Sequence, residues 1–426
     1  MNIFSNIFFD RIRVFHNRLS ERLWVKPLAI ALVSIAAAFI SKLADDSVLV
    51  EFVPEIKAEV IVTLLSVMAS SMLVVATFAV SSMVAAYASA SNVATPRSFP
   101  LVLRDDVSQN ALSTFIGAFI FSIIALTAVK GHYFKDAGLF FVFVLTVLAF
   151  ATVIFTLVHW IDRIARLGRL GSTVDKVEKA TENAFKLRQR EPNLCALPVP
   201  SVRKNGTPIF SPTVGYVQNI NIAALQNWAE ETESYIEVAA LPGTFASPDR
   251  PLVYIRSNQG DEDIEGFDKV IKSFKIGHDR MFDDDPRFGL IVLSEIAGRA
   301  LSPAVNDPGT AIEIIGTDVR LFTLWNILAN EREEVEPIHD RVEVTEVSIL
   351  EMFDDAFSAI SRDGAGIVEV MVRLQKGLKS LASLGDTPMT NAAKHHGRLA
   401  LARAEKALDL EQDLETVRNA AEWVKL

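Results

Sequence analysis

The chain has 426 residues, of which 50% are apolar, and its mean hydropathy is +0.28. Three runs contain no charged residue, Val60 to Pro96, Val107 to Val129 and Ala137 to Ile161, and each reaches the roughly 20 residues that cross a bilayer as a helix. These runs exclude a purely soluble protein, and the single cysteine, Cys195, excludes a secreted scaffold built on disulfides.

The charge is distributed unevenly along the chain. Residues 1–170 carry fourteen basic and eleven acidic side chains, so the remainder carries 28 basic and 41 acidic ones. An acidic extramembrane part repels phosphate backbones, and nucleic acid is therefore not expected as a partner.

Residues 1–26 combine arginines with apolar side chains at helical spacing. This pattern is typical of a basic amphipathic helix that lies in the lipid headgroup plane. A helix that packs on the transmembrane bundle is the alternative. The apolar positions are Ile3, Ile7, Phe8, Ile12, Phe15, Leu19 and Leu23.

Residues 27–161 are predicted to form four transmembrane helices. Lys42 falls inside the first span, but a lysine near a helix end can extend to the interface, so one span is still expected. The late start of the first apolar run argues against a cleavable signal peptide. The expected bounds are Pro27 to Ala44, Glu59 to Ser91, Ala111 to Val129 and Ala137 to Ile161.

Basic residues mark one side of this predicted bundle. They precede the first span, occur between the second and the third, and follow the fourth, whereas the loop after the first span is mostly acidic. Lys130 and Lys135, in the loop after the third span, are an exception. By the positive-inside rule, both termini are expected to face the cytoplasm.

Hydroxylated residues recur along one face of the second span. Two interpretations remain open: such side chains allow close packing of helices with hydrogen bonds between them, or they line a water-filled pathway in an oligomer. No charged residue lies in the middle of the second, third or fourth span, which argues against a proton relay. The stripe consists of Thr63, Ser66, Ser70, Thr77 and Ser81.

Beyond the spans, residues 162–191 keep an apolar stripe and are predicted to form a cytoplasmic stalk helix, with coiling against partner chains left open. Five prolines between Glu191 and Pro212 indicate a linker. Residues 192–258 are predicted to form a small β module. Its strands begin at Gly215, Tyr235 and Leu252, a helix extends from Ile222 to Glu231, and Leu241-Pro-Gly-Thr-Phe forms a turn.

Residues 259–426 are predicted to be an α-helical cytoplasmic domain that ends in a helical bundle. Asp285-Pro286 and Asp307-Pro308 each combine a helix N-cap with proline at the first helical position. A divalent cation bound by the three aspartates from Asp283 to Asp285 is an alternative to capping. The bundle helices are expected at Glu346 to Ser361, Ala365 to Leu384, Pro388 to Leu410 and Glu411 to Val424.

The connection before the second of these caps is predicted to be a structural corner between two helices. Its members are Ser302, Pro303, Asn306, Asp307 and Pro308. His395 and His396 are adjacent, so they point about 100° apart on a helix and make a poor pair of metal ligands.

Three stretches carry a family resemblance: ATPRSFPLVLRDDVSQNALSTFIGAFIFSIIAL, the module from Gly215 to Arg256, and ALSPAVNDPGTAIE. In these the chain resembles the bacterial family of predicted membrane proteins known as domain of unknown function 2254. The resemblance implies a protein of the bacterial inner membrane with four spans and a cytoplasmic domain, and it implies no established activity. Gly309 departs from the bulky residue that many relatives carry after the Asn-Asp-Pro.

The expected fold is therefore a membrane α-helical protein with four transmembrane helices plus a cytoplasmic α+β domain, which contains a small β module and a helical bundle. The chain has no glycine-rich phosphate loop, no HExxH motif and no paired-cysteine zinc motif. No lysine stands at a hairpin tip to carry a prosthetic group. We therefore expect no enzyme activity, no metal and no cofactor.

Two functions remain from the sequence. The first is a homo-oligomer that conducts or gates a small solute or ion through a pathway involving the second span. The alternative is a non-conducting, membrane-anchored scaffold or sensor whose cytoplasmic domain recruits a partner. In both cases the lipid bilayer is a partner of the chain.

Overall fold

The computed structural model describes residues 25–43, 45, 54, 56–103, 106–164, 169–200, 206–257, 266–332, 336–385 and 387–425. By its internal contacts the chain divides into two compact units, Met1–Thr173 and Val174–Leu426. The amphipathic segment predicted for residues 1–26 lies outside the described residues, except for its last two positions.

The first unit consists of four long apolar helices, α1 (Val25–Leu43), α2 (Ala58–Val93), α4 (Asp106–Lys130) and α5 (Asp136–Ile164). A short helix, α3 (Phe99–Leu103), lies between α2 and α4. Each of the four long helices has the length and composition of a membrane span. Helix α2 has 36 residues, which is about 54 Å of helix and more than the hydrocarbon core requires. The four helices predicted from the sequence are confirmed.

Helix α4 is the central helix of this unit, because it packs against both α1 and α2. Half of its apolar window is buried, compared with 28% or less for the windows of the other three. Its Phe115 is fully buried and meets Trp160 of α5 edge to face, with the ring centroids 6.3 Å apart. On α2, the face that packs on α4 carries Ile61, Leu65 and Met68.

The charged end of α1 is fastened to the start of α5. Lys42 Nζ lies 3.2 Å from Asp45 Oδ2 and donates a hydrogen bond of 2.6 Å to the carbonyl of Tyr133. Asp45 accepts from the backbone N–H groups of Lys135 and Gly138 at 3.0 and 2.6 Å. Burial would raise the pKa of Asp45, but these backbone bonds and Lys42 outweigh it and lower the pKa. The lysine inside the predicted first span is thus paired at the end of its helix.

The second unit begins within α6 (Leu170–Arg190), whose apolar face is buried inside this chain. Phe185 meets Trp325 edge to face, with the ring centroids 4.9 Å apart. A hydrogen bond of 2.8 Å from Arg320 to Glu178 adds a charged contact. The stripe that the sequence left open for coiling with partner chains is therefore covered within the chain. Residues 165–168 of the predicted stalk helix lie outside the described part.

Two small sheets follow, built from β1 (Ala196–Pro198), β2 (Thr207–Phe210), β3 (Gly215–Ile220), β4 (Ser234–Val238), β5 (Phe245–Ala246), β6 (Pro251–Ser257), β7 (Phe274–Gly277) and β8 (His339–Val344). One sheet has the order β1-β8-β4-β6-β2 and the other β5-β3-β7. Strand β8 is parallel to both of its neighbours, and the remaining pairs are antiparallel.

The strands and the helix predicted at residues 215–257 are confirmed, and α7 (Ile222–Glu231) has the predicted bounds. The linker prediction is wrong, because β1 and β2 lie inside it. Prolines are tolerated there because Pro198 ends a strand and β2 lies at a sheet edge. Strands β7 and β8 come from residues 259–426, which the sequence predicted to be helical.

The remaining helices are α8 (Phe267–Lys272), α9 (Phe288–Ala300), α10 (Pro308–Asn330), α11 (Ile349–Asp363), α12 (Val368–Ala382), α13 (Thr387–Ala407) and α14 (Glu411–Ala420). Helices α9 and α11 pack together, and α12 packs against α10, α13 and α14. The aromatic centre of this bundle is Phe322 of α10 against Phe353 of α11, with the ring centroids 4.4 Å apart. The predicted helical bundle is confirmed.

Candidate functional site

The hydroxylated stripe of α2 lies on the outside of the first unit. Thr63, Ser70, Thr77 and Ser81 are exposed and Ser66 is half-buried, whereas the opposite face packs on α4. Thr77 donates to the carbonyl of Leu73 at 2.8 Å, and three other hydroxyls bond in the same way one turn back. These four exposed residues do not pack within the unit, and their hydroxyls already have acceptors in their own helix.

The predicted corner connects α9 to α10 and is largely exposed. Ser302 Oγ donates to the carbonyl of Arg299 at 2.7 Å, and Asn306 N donates to the carbonyl of Ser302 at 2.8 Å. Asn306 has a φ of 50°, in the left-handed region that asparagine tolerates better than most residues. Pro303 is exposed at the tip of the turn. These bonds make the connection a tight structural turn.

Asp307 caps α10, as the sequence predicts. Its Oδ1 accepts from the backbone N–H of Thr310 at 3.1 Å, and its Oδ2 accepts from the Thr310 hydroxyl at 2.6 Å. Pro308 follows as the first helical residue. The bonds from Thr310, first the hydroxyl and then the backbone, lower the pKa of the Asp307 carboxyl.

The equivalent prediction for Asp285 is wrong. Helix α9 begins at Phe288, and its N-cap is Arg287, which makes no capping bond with its side chain. The Asp285 carboxylate is buried and accepts a hydrogen bond of 2.7 Å from Arg280 Nε. Its other oxygen accepts from the Arg287 backbone at 3.1 Å. The carboxylate is thus held by a cation on one oxygen and by the backbone N–H of the N-cap residue on the other.

The neighbouring aspartates also have partners. Asp284 Oδ2 accepts from Asn219 Nδ2 at 3.0 Å, so the three adjacent aspartates do not converge on one point. No group of three metal-ligating side chains occurs among the described residues. His396 is fully buried against Phe353, with the ring centroids 5.9 Å apart.

A cavity of about 510 Å³ opens beside the Arg280–Asp285 pair, within the second unit. Four arginines line it, and we call it the arginine cleft. Its wall includes the turn at Leu241-Pro-Gly-Thr-Phe, where Thr244 N donates to the carbonyl of Leu241 at 2.9 Å. Gly243 has a φ of 92° there, as the third residue of a turn with proline second requires. The four arginines are Arg188, Arg250, Arg280 and Arg287.

Two of these arginines are already neutralised. Arg280 pairs with Asp285, and Arg287 donates 2.6 Å to Asp355 Oδ2 and pairs also with Glu351. Burial lowers the pKa of Arg287, but its bond to Asp355 and the two carboxylate charges outweigh it and raise the pKa. Burial raises the pKa of the Asp355 carboxyl in spite of Arg287. These pairs build the wall of the cleft and leave little charge for a ligand.

The other two arginines differ from this pattern. Arg188, at the end of α6, is only 8% exposed, and its Nη2 donates a long hydrogen bond of 3.3 Å to the carbonyl of Asp284. Its Nη1 is buried and has no hydrogen-bond acceptor among the described residues. Burial lowers the pKa of Arg188, although the Asp284 and Asp285 charges oppose this effect. Arg250 is exposed on the loop before β6.

Sequence reasoning did not find this cleft. Its arginines are 62, 30 and 7 residues apart along the chain, and each is an ordinary charged residue in its local pattern. The three acidic side chains that also line the cleft, Asp285, Glu346 and Glu351, are likewise scattered. The one local sign of the cleft was the predicted turn at Leu241-Pro-Gly-Thr-Phe, which lines it and to which the sequence assigned no function.

Comparison with known proteins agrees with the architecture. The uncharacterized protein MT1328 of Mycobacterium tuberculosis and the uncharacterized protein Mb1321c of Mycobacterium bovis are each 28% identical to this chain over 222 residues. The match covers 50% of this chain and 42% of each relative, so it spans less than half the length of those proteins. No solved structure matches the chain. A family model described as "Predicted membrane protein (DUF2254)" matches residues 20–380. The chain therefore belongs to the DUF2254 family of predicted membrane proteins.

Proposed function

We propose that this protein is a membrane-anchored, non-enzymatic sensor. In this proposal the Val174–Leu426 unit binds a small molecule in the arginine cleft and transmits its bound state to a protein partner. The observation that carries the proposal is Arg188, a nine-tenths buried cation that lines a cavity and leaves Nη1 without an acceptor.

Such an arrangement is costly for a folded chain. A buried donor without an acceptor costs about 1–3 kcal/mol, and folded proteins contain few of them. Other buried atoms of the described residues, among them Arg256 Nη1 and both carboxylate oxygens of Asp318, also lack a partner, and Arg188 differs from them because it lines the cleft. Nη1 is closed to solvent, so a ligand would have to displace part of the cleft wall to supply its acceptor and convert this cost into binding free energy.

The size and lining of the cleft also favour a small ligand. Its volume of about 510 Å³ falls in the range of roughly 300–1,000 Å³ that is typical of small-molecule sites. Most of the charged side chains that line the cleft lie on loops or at helix ends. Ligand-binding residues are commonly found in such segments.

A ligand screen tests this proposal directly. The full chain, purified in detergent, would be heated with a library of small metabolites while tryptophan fluorescence is followed. We expect at least one compound class to raise the unfolding temperature of the wild type and not of Arg188→Met. Arg418→Ala is the matched control, because Arg418 is an exposed arginine that pairs with Glu405 and Glu411 outside the cleft. A library without any Arg188-dependent stabiliser contradicts the sensor function.

The orientation of the sensor is a separate proposal. We propose that both termini face the cytoplasm of a bacterial inner membrane, from the distribution of basic residues. Reporter fusions after Ile56 and Gly131 should then be external, and fusions after Arg104 and Leu426 should be cytoplasmic. A cytoplasmic reporter after Ile56 would contradict the four-span topology.

A homo-oligomeric solute or ion pathway is the second candidate function. It is favoured by one observation, that the hydroxylated stripe of α2 is exposed on the first unit instead of packed within it. In an oligomer this stripe would either line water or contact another copy. Light scattering of the purified protein, followed by ion-flux measurements in liposomes, tests this candidate. A strict monomer, or an oligomer without flux, would contradict it.

A further inference from the structure

We propose that the arginine cleft binds the phosphate group of a small molecule, held by Arg188 and Arg250. This inference rests on the proposed sensor function, because it names the ligand class of the same cleft. It concerns the shared chemistry of inorganic phosphate and phosphate esters, which the experiment below separates.

The charges that line the cleft decide the ligand class. Two of its four arginines, Arg280 and Arg287, are neutralised by carboxylates of the chain. The other two, Arg188 and Arg250, have no ion pair with any described residue and are the cations of the lining that no carboxylate contacts directly. The charges of Asp284, Asp285 and Glu191 act on Arg188 from a greater distance. A phosphate ester carries a charge of roughly −1.5 to −2 at neutral pH. This charge balances two guanidinium groups more closely than the single charge of a carboxylate ligand would.

The donor geometry also fits a phosphate group. A guanidinium presents five N–H donors in a planar fork, and Arg188 uses only Nη2, in a bond of 3.3 Å. A phosphate group offers three strong acceptor oxygens, and arginine commonly binds such groups with two parallel hydrogen bonds.

The start of helix α11 adds a favourable field. Val347 and Ser348, which precede its first residue, line the cleft. Helix α11 has 15 residues, long enough for its N-terminal end to carry a partial positive charge. The helix end alone would not define a site, but here it faces the same cavity as the buried cation.

The acidic side chains of the lining oppose an anion and must be weighed. Asp285 and Glu351 are each paired with an arginine of the cleft. Glu346 is exposed, so water and salt screen its repulsion. Asp284 and Glu191 also act on Arg188. Because the Arg188 guanidinium is buried, water and salt screen its attraction for an anion less than they screen the repulsion from Glu346.

Calorimetric titration of the full chain in detergent tests this proposal. The probes are inorganic phosphate, pyrophosphate and adenosine monophosphate, with succinate as the matched carboxylate anion. We expect at least one phosphate probe to bind the wild type, and to bind Arg188→Met about ten- to hundredfold more weakly, which corresponds to the loss of a charge-assisted hydrogen bond. Arg250→Ala should weaken binding by about threefold or more, and Arg418→Ala should leave it unchanged.

The arms separate the possible sources of the phosphate. Binding of inorganic phosphate alone assigns the site to the free ion, and tighter binding of adenosine monophosphate assigns it to an ester; either supports the inference. Should Arg188→Met not elute as the wild type does, Arg250→Ala decides the matter, because an exposed side chain can be shortened without harm to folding.

Three results would overturn the inference, and they have different consequences for the sensor function. If succinate or a compound from the library binds in an Arg188-dependent way and no phosphate probe does, the ligand class is wrong and the sensor function stands. If no anion and no library compound binds, both proposals fail. Equal binding of phosphate by the wild type and both cleft variants also contradicts the inference.

Discussion

The same dipeptide, Asp-Pro, precedes two successive helices of the second unit and does different work at each. At α10, Asp307 receives the backbone and the hydroxyl of Thr310 and caps the helix. At α9, Asp285 turns toward Arg280, and the helix begins three residues later. The corner at Asp307 is largely exposed and has no arginine partner within the described residues, whereas Asp285 is buried in the wall of the arginine cleft.

The difference shows what determines the role of a carboxylate near a helix start. A side chain that accepts a hydrogen bond from a backbone N–H at the helix start stabilises the protein by about 0.5–2 kcal/mol. A buried guanidinium interacts more strongly, because low dielectric increases the attraction between full charges. At Asp285 one carboxylate oxygen pairs with Arg280 and the other accepts from the Arg287 backbone. At Asp307, which has no arginine partner among the described residues, both oxygens accept from Thr310.

The largest effect is expected at the buried pair. The Arg280 side chain is only 16% exposed, so Asp285→Asn leaves a largely buried cation without its counter-charge. This change should destabilise the protein by about 3–5 kcal/mol. Denaturant unfolding of the full chain in detergent, followed by tryptophan fluorescence, measures the loss. The double variant Arg280→Met, Asp285→Leu should recover most of it, since it removes both charges. A loss below about 1 kcal/mol for Asp285→Asn would place Asp285 with the simple caps.

The pH dependence of stability tests the two aspartates further, but the contribution of His396 to it must first be removed. Burial lowers the pKa of His396 from 6.5 to about 4. Between pH 6.5 and about 4, His396 is therefore protonated in the unfolded chain but not in the folded one. The free energy of unfolding falls by about 3 kcal/mol over this range. His396→Leu should abolish this part of the pH dependence. An unchanged slope in that variant would show that another group titrates.

The cap at Asp307 should give a smaller effect. Asp307→Ala loses the bonds from Thr310 and should cost about 0.5–2 kcal/mol at pH 7. Because hydrogen bonds lower the pKa of Asp307, this advantage of the wild type is present above about pH 4 and is lost as the pH falls through the folded-state pKa. Measuring both proteins in the His396→Leu background isolates this effect. A difference that does not shrink as the pH is lowered below about 4 would contradict the role of the ionised cap.

The smallest effect is expected for Asp307→Asn and Asp307→Ser. Each side chain can still accept from the backbone N–H of Thr310, so stability should stay within about 0.5 kcal/mol of the wild type. Asp285→Asn, the same chemical change at the other corner, is the matched comparison. If Asp307→Asn were as damaging as Asp285→Asn, the corner would carry more than a cap.

The amino-acid sequence alone determined the local features of this protein. The four apolar helices, the strands near Gly215 and Leu252, helix Ile222–Glu231 and the cap at Asp307 follow from hydrophobic periodicity and from residue preferences that act over a few positions. Family membership also followed from contiguous stretches. In each of these cases the signal lies in a contiguous stretch of sequence, even where the partner of the element, as for the strands, is distant.

Only the tertiary structure decided the features that depend on distant partners. Strands β1 and β2 were predicted as a linker, because they gain their hydrogen bonds from β8 and β6, far along the chain. The apolar face of α6 is buried by α9 and α10 of the same chain, which its own periodicity could not reveal. The arginine cleft joins residues from 188 to 351. Charge and burial at such a site depend on long-range packing, which brings groups together without leaving a local pattern.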